Sequence, residues 1–368
     1  MERILFIEAT ELKGGIETFL LNTCKYINKS KYELTVLADC EKCSIEKELK
    51  DIGVKIRHIH SLKNSVFGYF RDLWRVIDPK EYDIVHINKN SMSEPFALLI
   101  CKVKRISHIV VHSHNTQPTA NASAHVLHNI FRTLLIGKKI IRVACSEQAA
   151  EWMFGDGRSN CLILKNGIEL DRYAFNADVR IKVRDQLNVR NDEIAICSVG
   201  RLCEQKNSLF MIDIISSLVK INAKVKFFMI GSGELEKQVK EKVQKLQLES
   251  SVFFLGKRND VNELLQGMDL FLMPSLHEGL PIAAVEAQAA SLPLLISDTV
   301  DKGVRLLDST EFEKLSASPS VWAEHCLTLI DSTERRDTQN DIRKSGYDVA
   351  ESTLSLERLY NRKGNVSK

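Results

Sequence analysis

Two carboxylates, Glu278 and Glu286, lie within the stretch Ser275-Leu-His-Glu-Gly-Leu-Pro-Ile-Ala-Ala-Val-Glu286. The stretch follows an apolar, strand-like run (269–273) and opens an apolar, helix-like run (282–290), with Gly279 and Pro281 between. A strand that turns through glycine into a helix leaves backbone N–H groups aimed at whatever sits there. Glu278 falls in the turn and Glu286 about one turn inside the helix, so both can face one ligand. Carboxylates are poor partners for phosphate but suit hydroxyl-rich groups such as a ribose and a sugar ring. Acids favoured at a helix start by the macrodipole would produce the same pattern.

Other segments supply positive charge and close backbone approach. Gly200-Arg-Leu-Cys-Glu-Gln-Lys-Asn207 follows a strand and places Arg201 and Lys206 on one loop. Together a guanidinium fork and an ammonium point charge can neutralise a diphosphate. Gly231-Ser-Gly-Glu234, with Gly231 and Gly233, ends the next strand, and Arg258 through Val261 ends the one after, where a nucleobase could be lined. Near the N-terminus Gly14-Gly15-Ile-Glu17 opens a helix, where paired glycines let backbone approach a phosphate. His112-Ser-His114-Asn115 ends a strand of the first half, and two histidines there suggest a ligand or catalytic role. No Asp-x-Asp occurs and no His, Cys or carboxylate set has metal spacing, so the expectation is no metal, with protein cations handling any pyrophosphate. Cys40 and Cys43 form a Cys-x-x-Cys without a second pair and read as two thiols in a surface loop. Neither a Gly-x-Ser-x-Gly elbow nor a kinase signature appears.

The elements that must position these groups alternate between short β-rich and amphipathic helical runs. Strands are expected at 3–7, 33–37, 55–58, 84–87, 109–111, 140–144 and 162–164, then at 194–199, 226–230, 252–255, 270–273 and 294–296. Helices include 17–27, 65–77, 177–187 and a helical tail over 322–360. In the helix 65–77, Phe67, Phe70 and Trp74 recur at helical spacing and read as core, with a membrane-facing face the alternative. Small, polar 117–124 reads as a mobile loop. The 368 residues suffice for two α/β domains, and 51 basic against 48 acidic residues, a net +3, do not imply nucleic acid. Residues 1–175 carry 25 Lys and Arg against 20 Asp and Glu, which suits an anionic membrane face. No apolar run is long enough to span a bilayer, the first residues read as a strand rather than a signal peptide, and nine scattered cysteines fit a reducing cytosol. The expected architecture is α/β: two Rossmann-like doubly wound domains, 1–174 and 175–345, facing a central cleft, with a helix in 346–368 crossing back to the first.

Taken in order, Gly14-Gly15-Ile-Glu17, Gly200-Arg201-x4-Lys206, Gly231-x-Gly233 and Glu278-x7-Glu286 resemble the retaining GT-B glycosyltransferases of family four over nearly the whole chain. The His112 to Asn115 string and the run 286–298 resemble the bacterial members of capsular and exopolysaccharide assembly. The resemblance implies a nucleotide diphosphate sugar as donor, most similar to UDP-sugar users, and a saccharide or undecaprenyl-diphosphate-linked acceptor. It also implies no cofactor, a cytoplasmic enzyme, and peripheral contact with the inner membrane face. By resemblance Arg201 and Lys206 hold the donor diphosphate, and Glu286 the ribose hydroxyls. Glu278, with the amides of Gly279, Leu280 and Pro281, holds the transferred hexose or N-acetylhexosamine. Gly14 and Gly15 close on the phosphates, Gly231, Gly233, Arg258 and Val261 complete the donor pocket, and His114 contacts the sugar near its 6-position, with His112 the competing assignment. Ser291 stands where relatives usually have Gly and reads as a local packing change; Lys165 replaces a frequent Pro. The implied chemistry is metal-independent transfer with retention by front-face attack. The alternative is a UDP-GlcNAc 2-epimerase-like isomerase of the same architecture, and a third reading is a sugar-nucleotide binding protein without activity.

Overall fold

The computed structural model describes residues 1–11, 14–115, 122–137, 139–278 and 280–361. The chain divides into two compact units, Met1–Ile168 with Gly346–Lys368, and Glu169–Ser345. The first is built on seven strands: β1 Glu2–Ala9, β2 Tyr32–Ala38, β3 Lys55–His58, β4 Ile84–Lys89, β5 His108–Ser113, β6 Ile141–Ala144 and β7 Cys161–Ile163. They lie in the order β3-β2-β1-β4-β5-β6-β7, every pair parallel. The second holds β8 Ile194–Val199, β9 Val225–Ile230, β10 Val252–Gly256, β11 Leu270–Met273, β12 Leu294–Ser297 and β13 Thr310–Glu313. Their order is β10-β9-β8-β11-β12-β13, again all parallel.

Parallel strands covered by helices on both faces are apolar on both, and the sequence obeys this. In β1, Leu5 and Ile7 enter one buried layer while Ile4 and Phe6 enter the other. In β11, Leu270 and Leu272 face one layer, Phe271 and Met273 the opposite one. Each unit is thus a Rossmann-like doubly wound sheet, whose strand order reverses between β1 and β4 and between β8 and β11. Ligands of such sheets bind at the carboxyl ends beside that reversal.

Several expectations change. β13 is an additional edge strand, Thr-Glu-Phe-Glu, too short and too charged to show a period. The tail is three helices, Pro319–Ser332, Gln339–Lys344 and Val349–Asn361, with Gly346 at φ +82° in a break. The last packs in the first unit, where Leu356 and Tyr360 join the core and Glu357 accepts from the Asn28 amide at 2.8 Å. Residues 169–174 belong to the second unit, because the helix Leu170–Tyr173 packs there.

On the helix Val66–Val76 the aromatic stripe is only partly core. Phe70 stacks edge-on against Phe96 at 4.6 Å, but Phe67 is 79% and Trp74 48% exposed. Tyr69 and Leu73 take the buried positions instead. Cys40 and Cys43 are buried in the core rather than exposed in a loop, and burial pushes the Cys40 thiol up to about 12. Residues 117–121 of the expected loop lie outside the described residues, and Ala122 already opens the helix Ala122–Leu135. No described helix is long and apolar enough to cross a membrane.

Candidate active site

β8 and β11 are distant in sequence but paired in the sheet, with Leu270 beside Ile196 and Phe271 beside Cys197. Their carboxyl-end loops are therefore neighbours at the strand reversal. The link is explicit: the Leu276 amide donates to the Gln205 carbonyl at 2.8 Å, and Gln205 Nε2 donates to the His277 carbonyl at 3.1 Å. From behind, Thr299 Oγ1 donates to the Ser275 carbonyl at 2.8 Å, anchoring the loop to the end of β12.

This arrangement brings Lys206 and Glu278 together, Nζ to Oε1 at 2.6 Å, with side chains 18% and 11% exposed. Lys206 reaches Glu278 by lying over Gly200, whose added Cβ would stand 3.1 Å from Lys206 Cε. Arg201 is exposed and pairs with no carboxylate among the described residues. Gly200, Arg201, Lys206 and Ser208 line one small cavity at the start of the helix Ser208–Ile221. Two cations beside a helix N-terminus can bind an anion.

Glu286 lies in the helix Ile282–Ala289, whose N-cap is Pro281. Tyr173 donates its hydroxyl to Glu286 Oε1 at 2.6 Å. Burial raises the Glu286 carboxyl to about 7, opposed by that hydrogen bond and by Arg172. The Leu280 side chain packs on the core. Gly279 lies outside the described residues. Ser291, just past the helix, has φ +60°, and its hydroxyl accepts from the Arg336 amide at 2.8 Å. Ser291 therefore holds a left-handed backbone that glycine would adopt without strain, with its hydroxyl tied to the following segment.

The glycines after β9 serve the protein's own backbone. A Cβ on Gly231 would lie 1.9 Å from the Gly200 carbonyl oxygen, and one on Gly233 would lie 2.2 Å from that of Leu202. They let the β9 loop press against the cation loop, where the Leu235 amide donates to Leu202 at 3.0 Å. Arg258 is held by Asp260, Nε to Oδ1 at 2.8 Å and Nη2 to Oδ2 at 2.5 Å, so much of its charge is already neutralised. Val261 opens the adjoining helix Val261–Gly267 and packs on the core.

In the first unit Gly14 caps the helix Gly15–Tyr26. Glu17 reaches back to accept from the Gly14 amide at 2.9 Å and from the Thr10 amide and hydroxyl at 3.0 and 2.7 Å. The Gly14 N–H is thus occupied, whereas a Cβ on Gly15 would meet open space. His112 is fully buried, Nδ1 lying 3.3 Å from His86 Nε2, and His86 Nδ1 lies 2.6 Å from the Tyr360 hydroxyl. His114 is partly exposed, and its Nε2 lies 2.9 Å from Asn88 Oδ1. Burial lowers the pKa of His86 and His114 to about 3, so these rings are neutral.

Residues 179–347 match the family model described as glycosyl transferases group 1, and residues 13–172 match that of glycosyltransferase family 4. An uncharacterized glycosyltransferase of Haemophilus influenzae is 33% identical over 289 residues, 77% of this chain and 76% of the relative. The crystal structure of Anabaena HepE in complex with UDP-glucose superposes with a TM-score of 0.78 over 98% of this chain and 99% of that one, at 19% identity. The chain belongs to the family 4 glycosyltransferases of the GT-B fold. The transferase is also 28% identical to the putative glycosyltransferase EpsF of Bacillus subtilis, covering 98% of this chain and 96% of the relative. It is 23% identical to a UDP-Gal:alpha-D-GlcNAc-diphosphoundecaprenol alpha-1,3-galactosyltransferase of Escherichia coli, covering 84% and 82%.

Three partners in the transferase were not legible beforehand. Tyr173, which holds Glu286, lies far away in sequence in a four-residue helix, and nothing in its spacing marks it. Gln205 sits between the two cations and joins the loops through its backbone and side chain. Asn88 ends β4, and the pairing of β4 with β5 would have been the signal, since it sets Asn88 opposite His112.

Proposed function

We propose that this transferase moves a hexose or N-acetylhexosamine from a UDP-sugar to a saccharide acceptor carried on a lipid diphosphate, with retention at the anomeric carbon, in capsule or exopolysaccharide assembly. The observation that carries the reading is the Lys206–Glu278 pair at adjoining strand ends. A site for a nucleotide sugar needs cations for the diphosphate and carboxylates for hydroxyls, and here the two kinds meet. Arg201 and Lys206 hold the diphosphate, Glu286 the ribose, and Glu278 with the Gly279–Pro281 backbone the sugar. Gly14 and Gly15 serve the phosphates, with Gly15 the open position. Gly231 and Gly233 shape the cation loop, Arg258 and Val261 border the base, and His114 accepts from the sugar near its 6-position. The names of the E. coli relative and the HepE complex favour uridine and, for the first, an undecaprenyl-diphosphate acceptor.

In the reaction the bond from anomeric carbon to phosphate oxygen breaks while the acceptor oxygen bonds to the same face. The acceptor's proton passes to the departing phosphate oxygen. Charge developing on that phosphate is taken up by Arg201 and Lys206, positioned in advance without a metal ion. Glu278, paired with Lys206, binds rather than attacks.

The acceptor would be met at a membrane face. Val66, Phe67 and Trp74 are exposed on one helix with Arg71 and Arg75, and Lys104 lies 4.7 Å over the Trp74 ring. Apolar anchors with basic residues suit an anionic lipid surface. The test is incubation of the protein and a UDP-sugar panel with a synthetic lipid-diphosphate saccharide in EDTA, and NMR of the product anomer. Retention in EDTA supports the reading; inversion, a requirement for metal, or epimerisation of the donor alone contradicts it.

A further inference from the structure

Between Glu94 and Glu147 the chain carries seven Lys and Arg and not one Asp or Glu, although 48 of its 368 residues are acidic. Three of these cations, Lys102, Arg105 and Lys139, line a cavity of about 580 Å³ in the first unit, within the size range of small-molecule sites. No carboxylate lines it among the described residues. The cavity lies at the amino ends of β5 and β6, since its lining residues Ser107 and Ile140 directly precede those strands. His112 and His114 are at the opposite, carboxyl end of β5. Lys102, Arg105, Ser107 and Lys139 are exposed and leave the cavity open to a ligand, whereas Cys101, Ile106 and Ile140 form a buried apolar floor. The macrodipole accounts for Lys102 in the last turn of the helix Phe96–Val103. It accounts neither for Lys139, which comes from another element, nor for the backbone of Arg105. That residue stands at φ +57° just past the helix, where the Ile106 amide closes on the Cys101 carbonyl at 3.0 Å. Glycine is the usual residue at such a helix end, and an arginine there is strained.

We infer that this cavity takes the phosphate of an anionic phospholipid at a bilayer surface, with Lys102, Arg105 and Lys139 on the phosphate and the apolar floor against the glycerol end. This rests on the proposed meeting with the acceptor at a membrane. Three like charges around one cavity repel one another, and a bound anion offsets that repulsion. A bare phosphate ion would leave the apolar floor unused, whereas an amphiphile uses both. The surroundings suit a lipid as well. Leu99 and Val103 stand exposed one turn apart on the helix Phe96–Val103, and Ile130 and Leu134 do so on the helix Ala122–Leu135. Lys104, between Lys102 and Arg105 in sequence, donates to the Trp74 carbonyl and so ties this end of the unit to the exposed Phe67 and Trp74 helix. Apolar side chains beside cations are the surface that an anionic bilayer holds.

The test titrates the full-length protein with dihexanoyl-phosphatidylglycerol, kept monomeric, and with inorganic phosphate, and then sediments it with phosphatidylcholine vesicles with and without phosphatidylglycerol. The short-chain lipid should bind one to one, at least about tenfold more tightly than phosphate. Arg105→Gly and, separately, Lys139→Ser should each weaken it about tenfold. Because glycine relieves the left-handed backbone, Arg105→Gly should keep or raise Tm, so its loss of lipid is not a loss of fold. Wild type should sediment with the phosphatidylglycerol vesicles only, and Arg105→Gly should bind them about fivefold more weakly. Equal affinity for phosphate and the short-chain lipid overturns the lipid assignment. Unchanged lipid affinity in both variants overturns the cavity. Vesicle binding without any binding of the monomeric lipid leaves the membrane contact to the Phe67 and Trp74 helix and overturns this inference alone. Binding to neither kind of vesicle overturns the membrane reading, and this inference with it.

Discussion

Lys206 and Glu278 form an ion pair, Nζ to Oε1 at 2.6 Å, across two loops that are brought together only by the pairing of β8 with β11. Each group therefore sets the other's availability. On the proposed reading, Glu278→Gln frees Lys206 for phosphate and weakens the grip on sugar hydroxyls. Calorimetry should show intact UDP-sugar bound about tenfold more weakly, with free UDP unchanged or up to a few-fold tighter. Equal losses for both ligands would place Glu278 away from the sugar.

Glu286 carries a pH dependence whose sign follows from its raised pKa. A carboxyl at about 7 in the folded protein, against 4.5 ordinarily, is protonated in a slightly acidic solution, whereas the proposed ribose contact needs the carboxylate as acceptor for both hydroxyls. Affinity for UDP should therefore rise with pH through about 7, and Glu286→Gln should flatten this profile. A wild-type affinity that does not change across that window contradicts the ribose assignment.

The same shift affects stability in the opposite direction. The folded state holds the proton more tightly than the unfolded chain, so this stabilisation is full below about 4.5 and is lost as pH rises through about 7. Glu286→Gln keeps an oxygen for the Tyr173 hydroxyl and removes the buried charge. Thermal unfolding at pH 8 should find the ligand-free variant more stable, by roughly 3 kcal/mol at most, with the difference vanishing near pH 4. A variant less stable at pH 8 would mean that the charge is well compensated.

The glycines separate into those pressed against backbone, Gly231 and Gly233, and Gly15, which faces open space and which the proposed reading sets against phosphate. Gly231→Ala and Gly233→Ala push a methyl into the Gly200 and Leu202 carbonyls and should lower stability by roughly 2–4 kcal/mol. Gly15→Ala adds a methyl to open space at the start of a helix and should leave Tm unchanged or slightly raised, while transfer activity falls. Full activity in Gly15→Ala would remove that turn from the site.

Much of this was legible in the sequence because it is written locally. Twelve of the thirteen described strands overlap an expected run, most of them extending a residue or two beyond it, since a fully covered parallel strand is a short apolar run bounded by turns. β13 was not, being half-buried and charged. The site residues were legible as types at strand ends, while their pairing was not. That Lys206 meets Glu278, that Arg258 is taken by Asp260 and that Glu17 occupies the Gly14 amide are products of strand order and loop folding. The Phe67, Phe70 and Trp74 spacing gave the right helix, but spacing alone does not say which face is covered.

The central claim is that the second unit carries a diphosphate site built on Arg201 beside a sugar and ribose site built on carboxylates. Calorimetry of UDP, UDP-sugar and uridine against wild type and Arg201→Ala tests it most directly. Arg201→Ala should abolish binding of UDP and UDP-sugar, with Tm unchanged because this exposed side chain has no carboxylate partner among the described residues, and should leave any weak uridine binding as it was. Wild-type affinity for UDP in a folded Arg201→Ala would contradict it.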